Sequence, residues 1–471
     1  MTRKPAVAGK FYEADPAALK AGVQACLRKD YKPSGALAGI LAPHAGYSYS
    51  GLPAGAAFSP LKNLDFDTLV IMATGHTMGL KKGALPAADS FETPLGQVEI
   101  DAGFCAELLK DKKLFEENAR AHAGEHAVEV QLPFLQALGK KVKIVPVLFN
   151  TSDAALLEEA GRAIGRAMKG RAALFCVSSD LSHYPPGDIA EISDRSVLLA
   201  LRQAMRNAAP SYFDLANALL YSKASKFLDT TACGQAPMTA GAGAALELGC
   251  NDFELAVYTH SGKVSGDESA VVGYGAGFFT KASPKPAGAL ELSGAMKKEL
   301  LAIARNSIAA CLKSGKTPEQ PLSPRPEFNQ PAAIFVTLTI GGRLRGCIGS
   351  LEPRGTLADM AASYAGAAAF EDSRFAPVTG AELEKIKIEI SLLSPLERAA
   401  GPEAVKEGVH GVYVKSGRRS GTYLPQVWEH FEKKEEFLTS LCLEKAGLAG
   451  GAWRDGSAEL YTYTVEHFSE T

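Results

Sequence analysis

The chain has 471 residues, 46% of them hydrophobic and 22% charged, with a formal net charge of -2. That length exceeds what one hydrophobic core organises, so two or three domains are expected. The near-neutral charge gives no electrostatic case for nucleic acid or an anionic membrane surface. No apolar run approaches the roughly 18 residues of a membrane span, and the N-terminus lacks the apolar stretch of a secretory signal. Eight scattered cysteines without a CxxC pair do not make a disulfide framework, so a cytoplasmic protein with reduced thiols is expected.

In chain order, Pro16–Arg28 has helical spacing. Gly39–Ala42 reads as a strand that stops at Pro43-His44 and passes into a Gly/Tyr/Ser loop. Asp67–Met72 is a second strand and Val98–Ile100 is extended. Asp101–Lys110 reads as a helix with Asp101 as its N-cap. Glu129–Leu138 is amphipathic, Val142–Leu148 a strand, Ser152–Met168 a helix and Ala172–Val177 a further strand. Helices follow over Asp194–Asn207 and Tyr212–Leu220, and Phe253–Thr259 with Ala270–Phe279 adds an antiparallel pair. The glycines of Gly273-Tyr274-Gly275-Ala276-Gly277 relieve a strand and do not form a nucleotide loop, because no helix follows. Strands separated by helices argue for a layered α/β domain.

Lys281–Ala289, KASPKPAGA, is the best linker in the chain. Beyond it the order changes to α+β. A helix over Ser293–Ser314 precedes a strand, Ala333–Ile340, then a Gly341-Gly342 turn and Leu344–Leu351. Further strands are predicted at Ile386–Leu392, Gly411–Lys415 and Glu459–Val465, with a helix at Leu424–Lys433.

Three strands end on imidazole: the first at His44, the second at His76 in Ala73-Thr74-Gly75-His76, the third at His183 in Ser178-Ser179-Asp180-Leu181-Ser182-His183. Open α/β sheets bind ligands at that edge. Cys233, in Thr230-Thr231-Ala232-Cys233-Gly234, is a fourth candidate. Imidazole with thiolate suits iron, copper or zinc and disfavours magnesium or calcium. A single strand-end His is more often structural and a single Cys a small buried hydrophobe; three equivalent strand ends argue for a shared site. Asp180 either pairs with His183, orienting it as an acid or base, or caps a turn with the local serines.

His122-Ala123-Gly124-Glu125-His126 matches H-x-x-E-H, in which two His hold zinc and Glu serves as base. This peptidase alternative needs a continuous helix, and Gly124 inside it costs about 1 kcal/mol relative to Ala. The other reading is a helix entry with His122 or Glu125 facing the cleft. In the second half, Arg345 stands near Cys347, and Phe370-Glu371-Asp372-Ser373-Arg374-Phe375 sets opposed charges between aromatics. A thiol near guanidinium can be a low-pKa nucleophile. The favoured alternative is a strand Cys beside a structural Arg–carboxylate pair, because no His neighbours it in sequence.

The motifs PAVAGKFYEADP, APHAGYSYSG, SFETPLGQVEID, EHAVEVQLPFL, SSDLSHY, ACGQAPM and SGDESAVVGYGAGF, in this order, resemble the Memo family. The resemblance implies a fold similar to class III extradiol dioxygenases, the non-haem iron enzymes. It also implies a metal site on His44, His76 and Cys233, with Asp180 and His183 lining the cleft and His122 and His126 near it. Ring-cleaving relatives use two His and one carboxylate, whereas here Cys233 stands in the carboxylate's place, so dioxygenase chemistry does not transfer directly. The second His lies in ATGHT, where the family more often shows Pro and Asn before it. LRGCIGSL and AAAFEDSRFAP, with YLPQVWEH and the Trp453 segment, resemble the AMMECR family, whose activity is not established. Both families belong to the bacterial and archaeal AmmeMemoRadiSam set, in which they accompany a radical SAM protein. The chain has no CxxxCxxC motif and is not that member.

The expectation is an α/β layered domain of class III extradiol dioxygenase type over residues 1–281, a linker over 282–291 and a smaller α+β domain over 292–471. The first domain would hold iron or copper, before zinc, through His44, His76 and Cys233. His183, assisted by Asp180, would act as acid or base on a small molecule, with His122 and His126 close by. The alternatives are a non-catalytic metal-binding partner of a radical SAM protein and a zinc peptidase using His122, Glu125 and His126. Neither nucleic acid nor a membrane is an expected partner.

Overall fold

The computed structural model describes residues 1–27, 31–282 and 290–470. They form two compact units that divide between Ala282 and Leu290, so most of the expected linker lies outside the described residues.

The first unit is built on an eight-stranded mixed sheet. Its order is Asp252–His260, Gly273–Lys281, Ala36–Ala42, Ala173–Ser178, Thr68–Thr74, Lys143–Phe149, Gly83–Leu85 and Phe115–Glu117. The four strands from Ala36–Ala42 to Lys143–Phe149 are mutually parallel neighbours. Every residue of Thr68–Thr74 is buried, which is why the parallel strands read as continuous apolar runs: helices cover both faces. Gly273–Lys281 and Asp252–His260 extend the sheet antiparallel, as the sequence predicts. Asp101 does cap Ala102–Leu108, its carboxylate accepting the Phe104 N–H.

Several elements differ from expectation. The Gly/Tyr/Ser loop after His44 is instead a helix, Tyr47–Phe58, which carries Pro53 inside it and is almost wholly buried beyond Tyr49. Glu129–Leu138 is split into a 3-10 turn, Glu129–Gln131, and a short helix, Leu132–Ala137, because Pro133 restarts the first turn. The helices Gly187–Arg206 and Pro210–Ala224 begin before their predicted starts. Gln235–Glu247, not foreseen as a helix, is buried along most of its length.

The second unit is α+β. One antiparallel sheet runs Arg343–Gly349, Ile334–Ile340, Ile386–Leu393 and Val465–Ser469; a second runs Glu397–Arg398, Glu459–Tyr463, Gly411–Ser416 and Arg419–Tyr423. Leu300, Ala304 and Ile308 of helix Gly294–Ser314 join Ile334, Val336, Ile388 and Ile390 in its core. The hairpin turns on Gly341 and Gly342, with φ of 57° and 78°, the left-handed pair that glycine adopts without penalty. The expected closing strand Glu459–Val465 is in fact two strands in different sheets, parted at Thr464. The expected helix Leu424–Lys433 is a 3-10 turn, Pro425–His430, followed by helix Lys434–Ser440. Among the described residues, no helix is long and apolar enough to cross a membrane.

Candidate metal centre

Ala36–Ala42, Ala173–Ser178 and Thr68–Thr74 lie side by side, so the segments that follow them reach one edge of the sheet. The His44 N–H donates to Asp180 Oδ1 at 2.7 Å, tying the first of these segments to the third. The His76 N–H donates to Glu125 Oε2 at 2.6 Å. Cys233 arrives from the turn before Gln235–Glu247, and Thr74 Oγ1 donates to its carbonyl at 3.0 Å. The Gly234 N–H meets Ser179 Oγ at 3.0 Å. A Cβ at Gly234 would stand 2.3 Å from the Ser179 side chain, so only glycine lets this turn press against the strand end.

Cys233 Sγ lies 3.1 Å from His44 Nε2 and 3.6 Å from the Asp180 carbonyl. The rings of His44 and His76 are 5.1 Å apart and perpendicular; His126 is 5.4 Å from the first ring and stacks at 4.8 Å on the second. Donor atoms of His44, His76 and Cys233 all lie within 4.8 Å of one another, as do those of Asp180, His183 and Cys233.

Burial drives His44 well below the ordinary imidazole value, reinforced by the other rings, and burial likewise lowers His126 and His183. These rings are therefore neutral, as metal ligation requires. Burial, aided by the charge of Asp180, pushes the Cys233 thiol well up, so a cation is what would hold it as thiolate. Burial also raises Asp180 to about 7, against the N–H bonds from His44 and Ala45. Burial pushes the Glu125 carboxyl up, but the bonds and charge from His76, the Ala127 N–H and His126 outweigh it and bring it to about 2. His183 Nε2 is buried without a hydrogen-bond partner. Neutral imidazoles, a thiol and an orphaned ring nitrogen make a donor set that fits a transition-metal ion.

Other sequence candidates stand elsewhere. His122 Nε2 lies 2.9 Å from the Ala84 carbonyl, and helix Ala119–Ala123 ends before Gly124. The continuous helix of an H-x-x-E-H site is thus not formed, and His122 turns to a backbone carbonyl while His126 sits against His44 and His76. Burial lowers His122 to about 4, so it too is neutral. Asp180 does not clamp His183; its carboxylate accepts backbone N–H groups of His44 and Ala45. Sequence reasoning passed over Ser178 and Gln131, which touch or back His44, and considered Glu125 only as a zinc-site base or a helix-entry residue. The motif EHAVEVQ was the available signal.

A cleft of about 650 Å³ opens beside Cys233, with Leu80, Phe149, Asn150, Asp214 and Gln235 in its lining.

Residues 3–278 match the family model described as Memo-like protein, and residues 301–468 match the one described as AMMECR1. A MEMO1 family protein of Methanothermobacter thermautotrophicus is 36% identical over 286 residues, 58% of this chain and 99% of the relative. One from Aquifex aeolicus is 33% identical over 274 residues, 58% of this chain and 97% of the relative. The crystal structure of an uncharacterized protein from Pyrococcus horikoshii is 35% identical, covering 37% of this chain and 91% of that one, with a TM-score of 0.35.

Proposed function

We propose, on the premise that this chain belongs to the Memo-like protein family and carries an AMMECR1 domain behind it, that its first unit is a non-haem metal protein. It uses iron or copper, before zinc, in redox chemistry on a small molecule. The observation that carries this reading is Cys233 Sγ at 3.1 Å from His44 Nε2, in one donor cluster with His76 at the edge where the parallel strands end. His44, His76 and Cys233 hold the ion, which would supply Lewis acidity and electron transfer when bound.

The chain's own residues do the rest. His183 Nε2, buried and unpartnered, is the ring nitrogen that would exchange a proton with a bound molecule. Asp180 assists by fixing the backbone that carries His44. The adjoining cleft, polar at Asn150 and Gln235 and apolar at Leu80 and Phe149, suits a small molecule. The free thiols of the described chain suit a reducing cytoplasm. The AMMECR1 unit favours a second reading, in which the same metal centre serves a radical SAM protein without turnover of its own.

Metal analysis of protein purified without oxygen tests the site. Wild type should carry near-stoichiometric iron or copper, and His44→Ala and Cys233→Ser should each lose most of it. Metal that persists in both variants but leaves in His126→Ala would overturn the assignment. Oxygen uptake on adding catechols separates the enzyme from the accessory role.

A further inference from the structure

We infer that the segment Glu125–Gln131, EHAVEVQ, is a tautomer clamp. Glu125 acts directly, and Gln131 acts through Ser178, to keep the ring protons of His76 and His44 on Nδ1 and leave both Nε2 atoms as lone pairs. The inference rests on the metal-centre reading above and deepens it: these are positioning residues, which touch no ion.

Glu125 is 1% exposed and surrounded by N–H groups. Its Oε1 accepts from the backbone of His126 at 2.9 Å and of Ala127 at 3.0 Å, and its Oε2 accepts from the backbone of His76. A carboxylate only accepts, so His76 Nδ1, 2.9 Å from Oε1, must be the protonated nitrogen. Both oxygens of Glu125 are thus engaged by N–H groups.

His44 is reached by a relay. Gln131 Nε2 lies 2.9 Å from the Pro43 carbonyl, which only accepts, and this orients the amide. The same nitrogen donates to Ser178 Oγ at 2.9 Å, and Ser178 gives its one proton to the Ala127 carbonyl at 2.7 Å. Toward His44 Nδ1, 3.1 Å away, Ser178 is therefore the acceptor. The remaining nitrogen, Nε2, is the one that faces Cys233 Sγ.

The segment is braced from behind. Arg3 Nε donates to the His122 carbonyl at 3.1 Å, and its guanidinium also bonds the Glu125 carbonyl and the Glu129 carboxylate. Glu129 in turn accepts the N–H groups of Ala6 and Val7 and the Tyr12 hydroxyl. An unrestrained neutral imidazole exchanges between tautomers, and only the form protonated at Nδ1 can ligate through Nε2. Partners of this kind typically govern metal affinity by about 10–100-fold.

The test uses the full chain with ¹⁵N-labelled histidine, metal-free, and long-range ¹H–¹⁵N correlation to read which ring nitrogen bears the proton. His44 and His76 should both show Nδ1–H. In Ser178→Ala, His44 alone should become a mixture; in Glu125→Leu, which offers no acceptor to the ring, His76 alone should. Titration with Co(II), followed by its thiolate charge-transfer band, should show each variant weakened by about 10–100-fold. Nε2–H on either ring of the wild type, or a variant whose tautomers do not change, overturns the clamp for that ring. A wild type with the expected tautomers but no Co(II) binding defeats the metal-centre reading and leaves the tautomer assignment standing.

Discussion

At the edge of the large sheet, His44 and His76 on one side and Asp180 and His183 on the other form two donor groups that share the Cys233 sulfur, whereas the charged groups around Cys347 close on themselves. There, Arg374 grips Asp372 through Nε at 2.9 Å and Nη2 at 2.6 Å, and Asp372 accepts the Cys347 N–H at 2.9 Å. Arg345 grips Glu382 at 2.9 and 3.3 Å, with only Nη1 left over. Arg374 also reaches the Cys347 carbonyl oxygen, while Thr337 Oγ1 donates to the sulfur at 3.3 Å. This is the structural Arg–carboxylate pairing, not the geometry of an activated thiol. Both clusters look chemically promising as sequence. The difference is how many atoms the protein's own hydrogen bonds leave unsatisfied and aimed at a common point.

The contrast extends to stability and can be broken there. Removing Arg3 leaves Glu129, fully buried, as an uncompensated charge, so Arg3→Met should cost the first unit about 3–5 kcal/mol. Arg374 has a side chain 54% exposed, and Arg374→Met should cost the second unit about 1 kcal/mol or less. Hydrogen exchange resolved by unit measures both; equal costs would erase the distinction.

One buried carboxyl in each unit should contribute to the pH dependence of its unit with opposite sign. Burial raises Asp194 to about 7, against hydrogen bonds from Ser182 and Tyr258. A carboxyl raised on folding gives stability that is full below its ordinary range and lost as pH rises through about 7, here on the order of a few kcal/mol. Asp194→Asn, which can still accept from Ser182 while donating to Tyr258, should flatten that slope. Asp372 is held well below the usual carboxylate range by the Arg374 hydrogen bond, so its contribution is lost as pH falls into the acid range. Unfolding of each unit followed across pH 3–8 checks both signs. Gly342→Ala should also act on the second unit alone: φ there is 78°, the space is open, and the left-handed backbone should cost that unit about 1–2 kcal/mol while sparing the first.

The strands and their shared edge were legible because apolar runs ending at Pro43, Gly75 or Ser178 are local signals. Helix Tyr47–Phe58 was not, since Gly51, Pro53 and Gly55 argue against a helix. It forms because tertiary contact buries its small-residue face, and a Cβ at Gly55 would stand 2.3 Å from the Cys26 carbonyl. Helix Leu357–Phe370 escaped for a related reason: its alanines pack a core without writing an amphipathic period. At the site, the H-x-x-E-H spacing suggested a pair of zinc ligands, but the helix stopped one residue short of Gly124 and His122 found Ala84 instead.

By itself, then, the sequence determined the two fold types and which imidazoles reach one sheet edge, because strand, breaker and turn are properties of neighbouring residues. Tertiary structure alone decided which atoms meet there. Cys233 is 189 residues from His44, and Glu125 is 49 from His76. Hydrogen-bond partners that choose a proton's position come from chain segments that only folding brings within 3 Å or so of each other.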